Sequence, residues 1–244
     1  MHEHDDNTPA ENAGESGERF MRRIQTFMRR SSALTASQRQ GVEEFAPRFQ
    51  LKRPESGLLD IAAAFGREAP LTFEVGFGMG FSLVEMALAA PERNFIGVEI
   101  HQPGLAQICY ELGTRGVENV RVFDADALLL LEHNIPDGSI DTFQLFFPDP
   151  WQKKKHFKRR FVQPHNAELI RQKLKIGGVF HMATDWENYA QWMLDIMEVQ
   201  PGYENCKGKG QYSERPEQRP LTKFEVRGQK AGHGVWDLLY RRID

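Results

Sequence analysis

The sequence predicts an α/β protein with a doubly wound, mostly parallel sheet and helices on both faces. Two observations support this fold class. From Leu71 to about residue 200, short apolar runs alternate with longer segments of helical period, as is typical of parallel sheets. A glycine-rich turn, Gly76-Phe-Gly-Met-Gly80, follows the first run. Because such sheets bind ligands beyond the carboxyl ends of their strands, we expect a functional crevice at that edge.

Strands and helices can be placed individually along this region. The strands are predicted at Leu71–Val75, Asn94–Ile100, Val120–Phe123, Ser139–Phe147, Val179–Thr184 and Val235–Arg241. The helices are predicted at Phe81–Ala90, Leu105–Arg115, Ala167–Lys175 and Trp186–Val199. The third helix should stop at Gly177-Gly178, because glycine accepts the left-handed cap conformation.

Composition divides the chain into three parts. Residues 1–18 contain six acidic side chains, no Lys or Arg and almost no apolar residues. Such a segment cannot bury enough surface to order itself. We therefore predict a disordered acidic tail at 1–18, a basic, helical extension that packs on the core at 19–70, and the main α/β domain at 71–244.

Several classes of protein are excluded by the composition. Of the 244 residues, 40% are hydrophobic and 27% charged, which is ordinary for a globular protein with a core. No apolar stretch approaches the roughly 18 residues of a membrane span, and the N-terminus has no signal-peptide pattern. The two cysteines and the spacing of the histidines indicate neither a disulfide scaffold nor a metal site. We expect a cytoplasmic protein without a metal, either a monomer or a homodimer.

Positive charge is concentrated in two segments of an otherwise acidic chain. The net charge of the whole protein is −3, but residues 19–53 contain nine basic side chains against two acidic ones. Residues 151–175 contain nine basic side chains against Glu168 alone. A solvated charged face would explain either segment separately. Together they indicate a polyanion bound at a defined place.

The glycine turn indicates the kind of ligand. Glycines allow a sharp turn and close approach of a ligand to the backbone. The dinucleotide-binding pattern would need another glycine where Phe81 stands. An acidic residue, Glu74, two positions before the first glycine fits better the E/D-x-G-x-G-x-G pattern of S-adenosylmethionine binders. A tight turn without any ligand is the alternative.

Acidic residues also end the next two predicted strands. Glu99 ends the second strand, where a carboxylate can accept hydrogen bonds from both hydroxyls of a ribose. Asp126 follows the third strand, where an adenine amino group would lie. Three acidic residues at three successive strand ends fit an adenosyl ligand with cationic character.

A stiff corner and a basic run follow the fourth strand. Prolines on both sides of Asp149 restrict the backbone, and Trp151 offers a flat surface on which a base could stack. The following run, Lys153-Lys-Lys-His-Phe-Lys-Arg-Arg160, contains six permanent cations. Neutralising about four to six phosphates would give strong, salt-sensitive binding. We therefore expect a nucleic acid to bind beside the ligand pocket.

These motifs resemble the bacterial tRNA (guanine-N7-)-methyltransferase family over residues 70–227. The Phe146–Lys155 block with its Pro-Asp-Pro-Trp corner is the most specific part, whereas the glycine turn is generic. The other matching segments are Phe73–Gly80, Ile96–Glu99, His156 with Arg159-Arg160, Ala183–Asp185 and Thr222–Glu225. The resemblance implies a class I methyltransferase (Rossmann-like) fold, S-adenosylmethionine as donor and tRNA as partner. The implied target is N7 of the variable-loop guanine at tRNA position 46.

The resemblance also implies residue roles. Donor contacts are implied for Glu74, Gly76, Gly78, Gly80, Glu99, Asp126 and Asp149. Asp149 would also be the catalytic residue. Contacts with the target are implied for Lys153, Asp185, Thr222, Lys223, Phe224 and Glu225. Contacts with the RNA backbone are implied for Lys155, His156, Phe157, Lys158, Arg159 and Arg160.

Some assignments have structural alternatives. Asp185 could instead be the N-cap of a helix that starts at Trp186. The Thr222–Glu225 segment could simply close over the core, rather than use Glu225 to accept hydrogen bonds from a base edge and Lys223 to neutralise a phosphate. For the whole chain, the rivals are methylation of another RNA or of an exocyclic amine, nicotinamide-dependent oxidation and RNA binding without catalysis.

Overall fold

The computed structural model describes residues 24–27, 33–221, 225 and 234–244. The predicted acidic tail at 1–18 lies outside these residues, as do Thr222, Lys223 and Phe224. The strands are β1 (Gln50–Leu51), β2 (Leu71–Val75), β3 (Asn94–Glu99), β4 (Val120–Asp124), β5 (Ile140–Phe146), β6 (Leu174–Thr184), β7 (Tyr203–Asn205) and β8 (Trp236–Arg242).

The strands form one sheet with the order β1-β4-β3-β2-β5-β6-β8-β7. Neighbours from β1 to β6 pair in parallel, whereas β8 pairs antiparallel with both β6 and β7. Phe73, Phe143 and Phe180 stand in register on β2, β5 and β6. Their ring centroids are 5.5 and 5.3 Å apart, so one aromatic row locks the three central strands together.

Helices cover both faces of the sheet. They are α1 (Ala36–Gln40), α2 (Ala46–Phe49), α3 (Ile61–Phe65), α4 (Phe81–Ala89), α5 (Gln102–Arg115), α6 (Ala127–Asn134), α7 (Pro164–Lys173) and α8 (Glu187–Met197). One hydrophobic cluster joins α2, α4 and α5 to the sheet, and a second joins α6, α7 and α8. The predicted fold class, a doubly wound sheet with helices on both faces, is confirmed.

The predicted end of the third helix is wrong. The helix α7 ends at Lys173, and β6 begins at the next residue and runs through both glycines. Gly177 has φ 84°, and the pairing of β6 with β5 shifts register between Ile140 and Thr142. The glycines therefore accommodate an irregularity inside a strand instead of capping a helix.

The segment before β2 contributes to the sheet as well as to the helical layer. A π-helical turn (Gly41–Phe45) connects α1 to α2, and β1 then pairs with β4 and forms one edge of the sheet. A capping box at Thr35 begins α1. The proposed division of the chain at residue 71 stays a prediction. Within the described parts of the chain, no helix has the length and apolar character needed to cross a membrane.

Candidate active site

A cavity of about 430 Å³ opens at the carboxyl ends of β2, β3 and β5. This is the edge at which the sequence predicts the ligand. The residues around the cavity are Thr26, Phe27, Val75, Gly76, Gly78, Val98, Glu99, Ile100, His101, Ala125, Ala127, Leu145, Phe146, Phe147, Pro148, Asp149 and Phe161. Of the predicted donor contacts, Gly76, Gly78, Glu99 and Asp149 therefore reach the cavity wall.

The glycine turn forms the floor of this cavity by close backbone packing. Gly76 has φ 76° and donates its N–H to the carbonyl of Val98 at 2.8 Å. A Cβ on Gly104 of α5 would stand 2.0 Å from the carbonyl oxygen of Gly78. Because only glycine tolerates that approach, α5 lies directly against the turn and holds its shape.

Glu99 ties the end of β3 to the glycine turn. Its Oε2 accepts a hydrogen bond from the N–H of Gly78 at 2.9 Å. Its Oε1 accepts from the N–H groups of Ile100 and His101 at 2.7 and 3.1 Å. Each carboxylate oxygen has two lone pairs, so this side chain can still accept from a ligand hydroxyl.

Glu74 lies beneath the cavity rather than in its wall. The side chain is 3% exposed, and its Oε2 has no hydrogen-bond partner. Burial, with a smaller contribution from the charge of Glu99, raises the pKa of Glu74 to about 8. A buried carboxyl group with a free acceptor atom beside a second carboxylate provides a site that a cationic ligand would stabilise.

Two further predicted contacts lie near the cavity without lining it. Asp126 stands between the lining residues Ala125 and Ala127, but its carboxylate accepts from the N–H of Leu128 at 3.0 Å and caps α6. Gly80 is buried, and a Cβ there would stand 2.7 Å from the side chain of Ile108. Gly80 therefore permits close packing on α5. Direct contacts of both residues with a donor stay predictions.

The corner around Asp149 is a strained turn at the mouth of the cavity. Phe147 and Trp151 have φ values of 51° and 44°, a left-handed conformation that aromatic residues rarely adopt. Each such residue costs roughly 1–3 kcal/mol, so the surrounding structure must hold it in place. Between them, Asp149 is exposed and lines the cavity.

The basic run after the corner forms a short 3-10 helix, Lys154–Arg159. Lys153, Lys154, Lys155 and Lys158 are exposed. His156 stacks beside Trp151, with ring centroids 5.9 Å apart and planes at 25°. The lysines thus form a positively charged surface that adjoins the cavity.

Sequence reasoning missed the segment Ile24–Phe27 as part of the site. Thr26 and Phe27 line the cavity. The indole N–H of Trp151 donates to the carbonyl of Thr26 at 3.2 Å, and Arg159 donates to the carbonyls of Gln25 and Phe27 at 3.0 and 3.2 Å. Backbone carbonyls bind this segment, so no side-chain motif in 24–27 indicated it.

Trp151 and Arg159 also contact each other. The guanidinium carbon of Arg159 lies 3.7 Å from the centroid of the Trp151 ring. Arg159 therefore covers one face of the Trp151 ring.

The structure corrects the prediction that Arg160 contacts the RNA backbone. Its side chain is fully buried, whereas a phosphate contact needs an exposed cation. The guanidinium donates to the carbonyl of Pro150 at 2.9 Å and to Oδ1 of Asn188 at 2.7 Å. Burial lowers its pKa from the usual arginine value. Arg160 is therefore part of the protein interior beneath the Asp149 corner.

Glu225 is also buried and already paired. Its carboxylate forms two hydrogen bonds with the guanidinium of Arg219, at 2.7 and 2.8 Å. Arg219 also bonds both carboxylate oxygens of Asp237, at 2.8 and 2.9 Å, and Asp237 bonds His181 at 2.7 Å. In this arrangement, the Glu225 carboxylate is bonded to Arg219. This differs from the predicted role, in which Glu225 accepts hydrogen bonds from a base edge.

Asp185 is half-buried at the end of β6. The alternative that it caps a helix beginning at Trp186 is wrong, because α8 begins at Glu187 and Trp186 itself is the N-cap residue. Thr184 accepts from the N–H of Trp186 through its hydroxyl at 3.2 Å. Among the described residues, the carboxylate of Asp185 has no hydrogen-bond partner, so it is available to a ligand.

Comparisons with known proteins agree with this geometry. A sequence model of a family described as "Putative methyltransferase" matches residues 68–238. A tRNA (guanine-N(7)-)-methyltransferase of Pseudomonas entomophila (strain L48) is 52% identical over 237 residues, 97% of this chain and 98% of the relative. One from Aeromonas hydrophila subsp. hydrophila is 55% identical over 93% of this chain and 95% of its own.

Solved structures support the fold alone. The 16S rRNA methyltransferase KamB has a TM-score of 0.55 with 14% identity, and the match covers 77% of this chain and 95% of that chain. This likeness shows that the present chain has the class I methyltransferase fold, with its cavity at the carboxyl ends of the strands. The sequence comparisons are more specific: the chain belongs to the tRNA (guanine-N(7)-)-methyltransferase family.

The cofactor of this class is S-adenosylmethionine, and the cavity suits it. The ligand is a cation with a ribose, an adenine and an amino-acid end. The carboxylates of Glu99 and Asp149 line the cavity and would face its positive charge, and the buried Glu74 lies beneath them. The remaining lone pair on Oε2 of Glu99 suits a ribose hydroxyl. No group of three or more His, Cys, Asp or Glu side chains in the described parts of the chain is placed to bind a metal ion.

Donor binding is expected to release a proton from Glu74. Because its pKa is raised from 4.5 to about 8, Glu74 is protonated in the donor-free protein at pH 6.5. A cationic donor favours the carboxylate, so donor affinity should increase as pH rises toward 8. Calorimetry at pH 6.5 in buffers of different ionisation enthalpy should show release approaching one proton. The variant Glu74→Gln should release almost none, and equal release by both proteins would contradict this assignment.

Proposed function

We propose that this protein transfers the methyl group of S-adenosylmethionine to N7 of a guanine in the variable loop of tRNA, at position 46. The observation that supports this proposal is the position of Asp149 between the cavity and the exposed lysines of the basic run. The donor pocket and the lysine surface that would bind a polyanion meet at this one carboxylate. The presence of tRNA in the cytoplasm also favours a cytoplasmic location.

This reaction depends on the orientation of the reacting groups and on stabilisation of charge more than on proton transfer. When bound, S-adenosylmethionine supplies an electrophilic methyl group on a sulfonium. Guanine N7 already has a free lone pair, so no proton has to leave the attacking atom. Positive charge then develops on the purine, and a fixed carboxylate beside it lowers the energy of that charge.

We assign this task to Asp149. Its carboxylate can accept hydrogen bonds from N1–H and the N2 amino group of guanine, and its charge opposes the developing purine cation. The proline on each side limits how far the carboxylate can move. Asp185, which has no partner among the described residues, is the second acceptor that we assign to the target nucleotide.

The exposed lysines would bind the tRNA backbone, and phosphate contacts position an RNA without reading its sequence. We therefore propose that recognition depends on tRNA shape and on the exposed edge of the target base. Lys153, Lys155 and Lys158 are the cations we assign to this surface. His156 and Phe157 lie in the same 3-10 helix and are half-buried.

A direct assay tests the function. The protein is incubated with methyl-labelled S-adenosylmethionine and an unmodified tRNA transcript, and the nucleosides are then separated. We expect label in 7-methylguanosine, and none when guanine 46 is replaced by adenine. Label in an N-methylated exocyclic amine would support the rival methyltransferase activity, and tRNA binding without any label would support a non-catalytic RNA-binding protein.

The salt dependence of tRNA binding tests the lysine surface. The double variant Lys155→Gln/Lys158→Gln should lower the slope of log Kd against log salt by up to about 1.4–1.8, because each lost phosphate contact removes about 0.7–0.9. The slope can be measured by filter binding between 50 and 200 mM salt. The variant Lys209→Gln removes an exposed lysine from the turn after β7 and should leave the slope unchanged. Equal slopes for the double variant and the wild type would remove these lysines from the interface.

A further inference from the structure

Arg160 is a buried cation without a carboxylate partner among the residues that the structure describes. It directly follows the 3-10 helix of the basic run and is fully buried. None of its contacts within the described residues is an ion pair, and its Nη1 has no hydrogen-bond partner. Burying an unpaired charge is unfavourable unless other interactions compensate. The ring contacts and hydrogen bonds of Arg160 therefore indicate the role of this side chain.

Aromatic rings provide part of the compensation. The guanidinium carbon lies 3.7, 4.8 and 5.2 Å from the ring centroids of Phe157, Tyr189 and Trp192. Three rings around one guanidinium form a cation–π box, which suits the flat arginine head better than a lysine ammonium. Trp192 is itself fixed by the hydrogen bond from its indole N–H to the carbonyl of Val162 at 2.8 Å.

The hydrogen bonds of Arg160 join the catalytic corner to α8. Its Nε donates to the carbonyl of Pro150 at 2.9 Å, and its Nη2 donates to Oδ1 of Asn188 at 2.7 Å. Pro150 directly follows Asp149, and the strained residues Phe147 and Trp151 lie on either side of the Pro148–Pro150 segment. The carbonyl that Arg160 holds is thus one peptide unit from the carboxylate that faces the target base.

We propose that Arg160 is a positioning residue that fixes the Asp149 carboxylate through the Pro150 carbonyl. The inference rests on the proposed function, because it concerns the geometry of that methyl transfer. The strained turn needs a rigid anchor, and Arg160 supplies a buried donor that the ring box holds at one angle. Loss of this anchor should disturb the alignment of Asp149 while leaving the donor pocket and the exposed lysines in place.

The test compares Arg160→Met with Arg160→Lys. The Met variant keeps only the apolar stem of the side chain and loses the donors to Pro150 and Asn188. Its kcat at saturating tRNA should fall on the order of 10- to 100-fold, the effect of a small misplacement of a catalytic group. The Kd for S-adenosylmethionine, the Kd for tRNA and the salt slope should stay within about twofold of the wild type. The Lys variant keeps the charge and one donor, so it should recover part of the lost kcat.

Two further variants separate positioning from other roles. Asn188→Ala removes the Nη2 partner but leaves the Pro150 bond, so its kcat should stay within about threefold of the wild type. Lys158→Met removes an exposed neighbouring cation and should weaken tRNA binding and lower the salt slope. If Arg160→Met does not fold, the comparison is made with Arg160→Lys, for which a reduced kcat with intact affinities supports the proposal and an unchanged kcat overturns it.

Each result that would contradict the proposal can be told apart from the others. An Arg160→Met variant with normal kcat but weaker, less salt-dependent tRNA binding would make Arg160 an RNA contact. Equal losses of kcat and melting temperature in Arg160→Met and Asn188→Ala would reduce its role to packing. Absence of methyl transfer by the wild-type protein would overturn the proposed function itself, irrespective of Arg160.

Discussion

Replacing Asp149 by asparagine should lower kcat by roughly 10²–10³-fold, the usual effect of removing one preorganised electrostatic group. Asparagine is nearly the same size and keeps an acceptor oxygen, so the loss would report mainly the negative charge. Single-turnover methylation of an unmodified tRNA transcript measures the chemical step. The tRNA Kd should change little, because Asp149 carries no phosphate contact.

Asp124→Asn is the matched control for this experiment. Asp124 is exposed at the end of β4, at the same edge of the sheet, and accepts from Gln102 instead of lining the cavity. Its removal should leave the single-turnover rate within about twofold of the wild type. Turnover by Asp149→Asn at a near-normal rate would refute the charge role, although the hydrogen-bonding role would remain.

Replacing Arg219 by methionine should destabilise the protein by about 3–5 kcal/mol, because removing one partner leaves buried charges without compensation. Glu225 and Asp237 share this guanidinium, and all three side chains are at most 3% exposed. Although burial opposes ionisation of Asp237, hydrogen bonds from His181 and Arg219 keep its pKa below the usual value. Both carboxylates therefore depend on the guanidinium near pH 7.

The measurement is thermal unfolding at pH 7. A protein of this size should lose roughly 2–4 °C per kcal/mol, so Tm should fall by roughly 6–20 °C. Lys209→Met removes an exposed cation from the turn after β7 and should leave Tm within about 1–2 °C of the wild type, as surface substitutions usually do. An unchanged Tm for Arg219→Met would mean that the two carboxylates find other partners or become neutral.

The central sheet could be predicted because its strands follow local patterns. The strand β2 matches its predicted bounds, Leu71–Val75, and β3 and β4 differ by one residue each. The helix α6 was not predicted, because its leucine-rich run shows no helical period to distinguish it from a strand. The strands β1 and β7 contain two and three residues, and their pairing depends on β4 and β8, which lie far along the chain.

The site could be predicted where a motif itself determines the geometry. The glycine turn, Glu99 and Asp149 do meet at one cavity. Sequence alone could not separate Arg160 from Lys158, because both belong to one run of cations. What separates them is the position of Pro150, Asn188 and three rings around one of the two. The pairing of Glu225 with Arg219 and the protonation of Glu74 likewise depend on burial.

The left-handed backbone at Phe147 and Trp151 has a consequence for engineering. Stabilising a scaffold by placing glycine at residues with positive φ is a common approach, and here it would relieve local strain at two positions. It would also remove the rings and loosen the loop beside Asp149. At this corner, thermal robustness and turnover thus oppose one another, so heat resistance is better sought on the far side of the sheet.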